Sequence, residues 1–248
     1  MIFLSVLISG NRVIAKTSSK DQELIKLVTE ILNSIDKRFK NLIIIEEGTL
    51  SGFDVVIATG SDNSSRYFEY YFGKYPNIIR KNRNSIAVIS GDESDTELKA
   101  LGSDVFSYFG LGCRNVSKIY IPDGYDFNIL IKNWEKYSKI TNHSKYGSNY
   151  DYRKAVYLVN KDKFMDTGFV LLKEDINISS PVAVLFYEYY SNSGYIKNII
   201  ETNSDKLQCI TGKDFIPFGS SQSPALWDYA DGTDTIEFLI KNKSAGIL

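Results

Sequence analysis

Residues 106–121 read FSYFGLGCRNVSKIYI. Cys113 follows Gly110-Leu111-Gly112 and precedes a strand-like run at 117–121. Glycines beside it let the backbone turn tightly and bring a substrate close to the sulfur. A loop between a helix and a strand is also a common seat for a nucleophile. The bland alternative is that a lone cysteine in a globular chain is a small buried hydrophobe. On these residues alone both readings stay open.

The segments around this stretch alternate between strand and helix patterns. Residues 12–16 (RVIAK) form a short apolar run, as do 42–45 and 53–58 (FDVVIA). Such near-continuous apolar runs suit strands covered on both faces. Between the first two, Ser19 and Gln22 are spaced for a capping box. Leu24, Leu27, Val28, Ile31, Leu32 and Ile35 then recur at helical spacing and predict one apolar face. Strand, helix and strand in that order imply a crossover and a parallel sheet. Thr59-Gly60-Ser61-Asp62 leads into a helix at about 64–72. That turn reads either as an anion site at a helix N-terminus or as an ordinary capped turn. No G-x-G-x-x-G is present, so the common dinucleotide fingerprint is missing.

Downstream, 85–89 predicts a strand, 95–109 a helix ending at the Cys113 loop, and 127–137 another helix. Residues 140–152 (ITNHSKYGSNYDY) are polar and aromatic without a period and predict a long ordered loop. Strands are expected at 154–159, 168–172, 182–187 and 207–210, with a helix at 194–201. Residues 216–220 and 227–239 close the chain. His143 is the only histidine, readable as a general acid or as a surface residue. Tyr146, Tyr150 and Tyr152 read as channel walls or as surface tyrosines.

Composition narrows the class. The 248 residues, 43% hydrophobic and 24% charged, suit one large or two modest folded domains. A net charge of −1 and the lack of a basic run argue against nucleic acid or anionic lipid as a partner. Two distant cysteines, Cys113 and Cys209, point to free thiols in a reducing cytoplasm. With a single histidine they make no ordinary metal cluster. The apolar start at 2–8 lacks a basic leader and a cleavage site, so neither a signal peptide nor a membrane span is expected. It reads as a buried helix end.

Four motifs occur in one order. Ser9-Gly10-Asn11-Arg12-Val13-Ile14-Ala15-Lys16 resembles the G-N-x-V-x-x-K strand of aldehyde dehydrogenases, and Ala58-Thr59-Gly60-Ser61 resembles their F-T-G-S turn. Gly110-Leu111-Gly112-Cys113 with the strand after it resembles their G-Q-x-C loop, and Pro217-Phe218-Gly219 their late P-F-G. The runs IATGSDNSSRYFEYYFGKYPNIIRKNRNS, YFGLGCRNVSKIYIP, SSPVAVLFYEYY and DYADGTDT are similar to one branch, the long-chain acyl-CoA reductases, including the fatty-acid reductase of bacterial luminescence.

The resemblance covers essentially the whole chain and implies an α/β aldehyde-dehydrogenase-like fold. It comprises a Rossmann-type parallel sheet, incomplete here, plus an α/β catalytic domain. The expected parts are a partial dinucleotide-binding domain at 1–84, a catalytic cysteine domain at 85–223, and a C-terminal segment at 224–248 returning to the first domain or to an oligomer interface. Family members carry a further segment before the G-N-x-V strand, so the chain reads as a shortened form.

The implied activity is reduction of a long-chain acyl-CoA or other acyl thioester to the aldehyde, using NADPH or NADH. Cys113 is the implied nucleophile, and Lys16, Thr59, Gly60 and Ser61 are the implied cofactor residues. His143 and Tyr146 are further acid, base or channel candidates. No metal, nucleic acid or membrane span is implied. A cytoplasmic homo-oligomer is expected. The alternative is an inactive remnant serving as a binding or oligomerisation module.

Two departures bear on the chemistry. Hydrolytic members place a glutamate base in an E-L-G-G-K motif upstream of the cysteine. Residues 78–85 (IIRKNRNS) hold no carboxylate there, which favours a reductase that does not hydrolyse its acyl-enzyme. At the E-x-F-G-P motif, Asn177 takes the place of the glutamate that would hold the nicotinamide ribose. Cys209, in the apolar run LQCIT, reads as core.

Overall fold

A computed structural model describes residues 2–17 and 22–243. The chain divides into two compact units, 1–81 with 232–248 and 82–231. Ser19, the expected helix cap, lies outside the described residues.

In the first unit, helix α1 (Ile2–Ile8) precedes strand β1 (Val13–Ala15), helix α2 (Glu23–Ile35) and strand β2 (Ile43–Ile45). Strand β3 (Val56–Thr59), helix α3 (Asp62–Phe72) and strand β4 (Asn77–Arg80) follow, and helix α8 (Thr235–Lys241) returns to this unit. Strand β1 pairs β2 and β3 pairs β4, both in parallel. Among the described residues these remain two separate two-stranded sheets rather than the single sheet the strand–helix alternation predicts. The reason shows in α2. Its apolar stripe, as regular as the sequence predicts, stays on the surface, with Leu24, Leu27, Ile31 and Ile35 exposed and no residue of the helix buried. Periodicity fixes which side chains share a face, not whether a sheet lies beneath it.

The second unit is built on a six-stranded sheet of order β10-β5-β6-β9-β8-β7. Its strands are β5 (Asn84–Val88), β6 (Val116–Pro122), β7 (Met165–Asp166), β8 (Leu171–Glu174), β9 (Val184–Tyr190) and β10 (Leu207–Gly212). All neighbours run parallel except β7, which is antiparallel to β8. Helices α4 (Asp95–Phe106) and α5 (Phe127–Trp134) bury Leu98, Leu101, Leu130 and Trp134 with Ile119 and Ile121 of β6. The alternate residues of β6 and β9 meet α6 (Ser144–Asn160) and α7 (Ser193–Thr202) through Tyr120, Phe186 and Ile196. The period of two along each strand thus sorts the two faces.

Helix α6 corrects two expectations, the loop at 140–152 and the strand at 154–159. Its buried residues are Tyr146, Tyr150 and Tyr157, at helical spacing. Counted as polar surface residues, they hide the period. They are buried because their rings pack under β8 and β9, while the hydroxyls of Tyr146 and Tyr150 donate to Phe169 O and Asp166 Oδ1. Helix α4 ends at Phe106, three residues earlier than expected.

Candidate active site

Helix α4 begins with a capping box. Ser94 Oγ accepts from the Glu97 amide, and the Glu97 carboxylate accepts from the Ser94 amide. Its other end delivers the chain to Cys113 through an unusual path. Tyr108 (φ 52°), Phe109 (φ 60°) and Gly110 (φ 72°) are three consecutive left-handed residues. Only the glycine is at ease there, and each aromatic costs about 1–2 kcal/mol. Such strain persists where surrounding contacts over-determine it. Here the Phe109 ring lies against the His143 imidazole at 4.1 Å between centroids, and Leu111 N–H donates to Tyr108 O.

A tight turn follows. Asn115 N–H donates to Gly112 O at 2.9 Å, making Cys113 and Arg114 its two central residues. Cys113 is exposed. Its carbonyl accepts from Ser85 Oγ of β5 at 2.9 Å. The backbone N–H groups of Cys113 and Arg114 have no acceptor among the described residues. The Arg114 side chain donates from Nη1 to Ser221 O at 3.1 Å.

Beneath the turn lies a buried polar layer. Asp104, on α4, is fully buried and accepts from Gly219 N–H at 2.7 Å and Ser221 N–H at 3.1 Å. Its burial pushes the carboxyl above the usual range, against the opposing hydrogen bonds from Ser221 and Gly219. The Pro217-Phe218-Gly219 segment is thereby held on α4. Gly219 has φ +84°, and a Cβ there would meet Ala100 Cβ at 3.0 Å.

A narrow cleft of about 30 Å³ begins at Phe109 and Gly110. Phe106, Tyr146, Pro181 and Val182 line it, with the Ser117 and Ser180 hydroxyls as polar points. Ser117 Oγ donates to Ile178 O at 2.7 Å and Ser180 Oγ to Val184 O at 2.7 Å. Tyr146 donates its hydroxyl to Phe169 O at 2.9 Å, and burial raises its pKa. It therefore stands as a wall. The exposed His143 touches the cleft through its stack on Phe109. Asn177 turns to Asp175, donating from its backbone at 3.0 Å and its amide at 2.8 Å. Cys209 is buried on β10 with its thiol 3.0 Å from Ser85 Oγ, and burial raises its pKa.

The remaining candidates lie in the first unit. Ser61 caps α3, its Oγ accepting from Ser64 N–H at 3.3 Å. Gly60 lets that helix come close, since a Cβ there would sit 2.8 Å from Ser64 Cβ and 2.9 Å from Phe68 Cε2. Thr59 ends β3. Lys16 directly follows β1 and donates to Gly48 O. Lys16 and the Thr59–Ser61 turn thus stand at the carboxyl ends of parallel strands, where such folds place nucleotides. The Gly60 N–H itself donates to Arg80 O at 3.1 Å, so the feature of this turn that suits an anion is the N-terminus of α3 rather than the glycine amide.

Asn115, Ser85 and Asp104 escape a reading by motif. Each follows another polar residue, Arg114, Asn84 and Ser103 respectively, and so reads as surface; the available signal is that Asn115 and Ser85 border predicted central strands. Among the described residues no group of acidic, histidine or cysteine side chains is placed to hold a metal ion. No helix there is long and apolar enough to cross a membrane.

No protein-family model matches the sequence, and no curated protein matches it. Similar solved structures do exist. Proline utilization A from Bradyrhizobium japonicum superposes with a TM-score of 0.62 at 11% identity, covering 84% of this chain and 26% of that one. A putative aldehyde dehydrogenase from Anabaena variabilis gives 0.61 at 12% identity, over 89% of this chain and 55% of its own. The Δ-pyrroline-5-carboxylate dehydrogenase of Mycobacterium tuberculosis, solved bound with NAD, gives 0.55 at 17% identity, over 82% and 46%. The chain spans between about a quarter and just over half of these proteins. At such identities the likeness bears on architecture, and it shows that this chain has the α/β fold of the aldehyde dehydrogenases.

Proposed function

We propose that the chain is an NAD(P)H-dependent reductase of acyl thioesters, with a long-chain acyl-CoA as substrate and Cys113 as nucleophile. The observation that carries this is the Cys113 turn: an exposed thiol between two backbone N–H groups with no acceptor among the described residues, three residues beyond a narrow cleft. The Cys113 thiolate attacks the thioester carbonyl. The oxyanion that forms takes hydrogen bonds from the turn's amides. Collapse breaks the carbon–sulfur bond to CoA, which leaves as a thiolate and takes a proton, and the acyl group stays on Cys113. The narrow cleft marks the start of the path proposed for the acyl chain, with Tyr146 as wall and His143 behind Phe109.

A bound NAD(P)H supplies the hydride that turns the acyl-enzyme into aldehyde and frees the thiol. Lys16, Thr59, Gly60 and Ser61 are the residues of this chain assigned to hold the dinucleotide. Residues 78–85 carry no carboxylate to activate water, which spares the acyl-enzyme from hydrolysis. The proposed setting is the cytoplasm, as a homo-oligomer. The exposed stripe of α2 favours a second reading, a non-catalytic module that binds a partner or its own copies.

Incubation with octanoyl-CoA, proteolysis and mass spectrometry separates the two. An octanoyl group on Cys113, released as octanal on addition of NADPH or NADH, is expected. Acylation at Cys209, or none at all, overturns the reductase reading.

A further inference from the structure

Asn115 is 2% exposed and uses its whole carboxamide. Oδ1 accepts from Gly112 N–H at 2.8 Å. Nδ2 faces the carbonyls of Asp104 at 2.9 Å, Ser107 at 2.9 Å and Val105 at 3.4 Å. The first contact fixes the Leu111–Gly112 peptide, and the Asn115 backbone N–H, donating to Gly112 O, fixes the next one, which enters Cys113. The others take up carbonyls at the end of α4 that have no partner within the helix. One side chain therefore ties the helix end to the cysteine turn across the strained residues between them. Ser85 Oγ holds the carbonyl on the far side of Cys113, so the turn is gripped at both ends.

We propose that Asn115 is a positioning residue for Cys113, aligning the Cys113 and Arg114 amides on the oxyanion formed during acyl transfer. This rests on the reading of Cys113 as an acyl-accepting nucleophile. Capping of α4 by itself demands no such effect, and the two roles separate by chemistry. Acyl transfer passes through a tetrahedral oxyanion and needs the amides aligned. Alkylation by iodoacetamide displaces iodide, forms no oxyanion, and needs only an accessible thiolate.

Two variants test the contact from opposite sides. Asn115→Ala removes the carboxamide. Gly112→Ala leaves it in place but sets a Cβ 2.9 Å from Oδ1, displacing it from the Gly112 amide. Single-turnover transfer from octanoyl-CoA to Cys113 and alkylation of Cys113 by iodoacetamide are measured on the full chain, with labelling of buried Cys209 as a monitor of unfolding. Both variants are expected to lose about thirtyfold or more in acyl transfer while alkylation changes by less than about threefold. Rates that fall together, or do not fall, overturn the proposal. So do variants in which Cys209 labels as fast as Cys113, since Asn115 then holds the sheet and not the cysteine. Wild-type protein that alkylates at Cys113 but accepts no octanoyl group overturns the acyl-transfer reading itself, and the proposal with it.

Discussion

Replacing Asp104 by asparagine keeps the side chain's shape and removes its charge. The carboxylate accepts from two backbone N–H groups, those of Gly219 and Ser221. Asparagine offers one acceptor and turns an NH2 group toward the other amide. Near pH 4, where the raised pKa keeps the carboxyl protonated, the loss is one neutral hydrogen bond and a buried donor left unpaired, about 1–3 kcal/mol. Against it stands the desolvation that raises the Asp104 pKa, which asparagine relieves wherever the carboxyl would be ionised. A folded value above the unfolded one of about 4 means that the native state holds its proton longer. The associated stability is full below about pH 4 and declines as pH rises through the folded value. Asp104→Asn is therefore expected to destabilise by about 2 kcal/mol near pH 4 and by less at pH 7.

Urea unfolding at a series of pH values reads this out through Trp134. That residue is buried on α5 and donates from Nε1 to Leu98 O of α4 at 2.8 Å, so its fluorescence reports on the helix that carries Asp104. A gap between variant and wild type that widens with pH, or a variant more stable than wild type near pH 4, refutes the reasoning.

Lys118 is fully buried on β6, where it meets Glu188, donates to Ile176 O at 3.0 Å and lies over the Tyr120 ring. Lys118→Met is expected to cost about 2–4 kcal/mol, discounted for the slight exposure of Glu188, and the double variant with Glu188→Met less than the single. Losses that simply add, the double variant costing the sum of the Lys118→Met and Glu188→Met losses in urea unfolding, would show that the ion pair is not coupled. In the first unit, Gly60→Ala forces a Cβ against Ser64 and Phe68 and is expected to weaken NADH binding about tenfold, roughly 1.4 kcal/mol. Unchanged affinity by calorimetry removes this turn from the cofactor site.

What could be read from residues and what could not divide along physical lines. Strands β5 and β6 are legible because Ile86, Ile119 and Ile121 sit in apolar runs bounded by turn residues, whereas the two-residue β7 is too short to leave a pattern. The Cys113 turn was legible as a glycine-flanked loop. Its support was not, because a buried Asn or Asp looks like any surface residue until its partners are known. Asn115 reaches back to Asp104, and Asp104 forward to Ser221, more than a hundred residues along the chain. Helix α6 was missed for a related reason: tyrosine is buried by its ring and solvated or bonded by its hydroxyl, so it reads as polar when it packs as core. The α2 stripe failed in the opposite sense, with a correct face whose burial does not follow from its pattern.

The two halves of the proposed chemistry rest on unequal amounts of buried structure. In the first unit the buried apolar side chains among the described residues are Val13, Ile43, Val56, Ile78 and Leu239, and α1 and α2 contribute none. Parallel strands are ordinarily covered on both faces, and two-stranded sheets are marginal by themselves. In the second unit, β5 and β6 carry Ile86, Ala87, Ile119 and Ile121 at no exposure, and the Cys113 turn hangs between these two strands through Ser85 and Asn115. Holding a thiol within reach of an oxyanion demands placement to a fraction of an ångström, which a packed parallel sheet can supply. The residues proposed for the dinucleotide stand at a strand end and a helix N-terminus, with far less core beneath them. The residues proposed for acyl transfer thus sit on the unit with the larger buried core, and those proposed for the cofactor on the unit with the smaller.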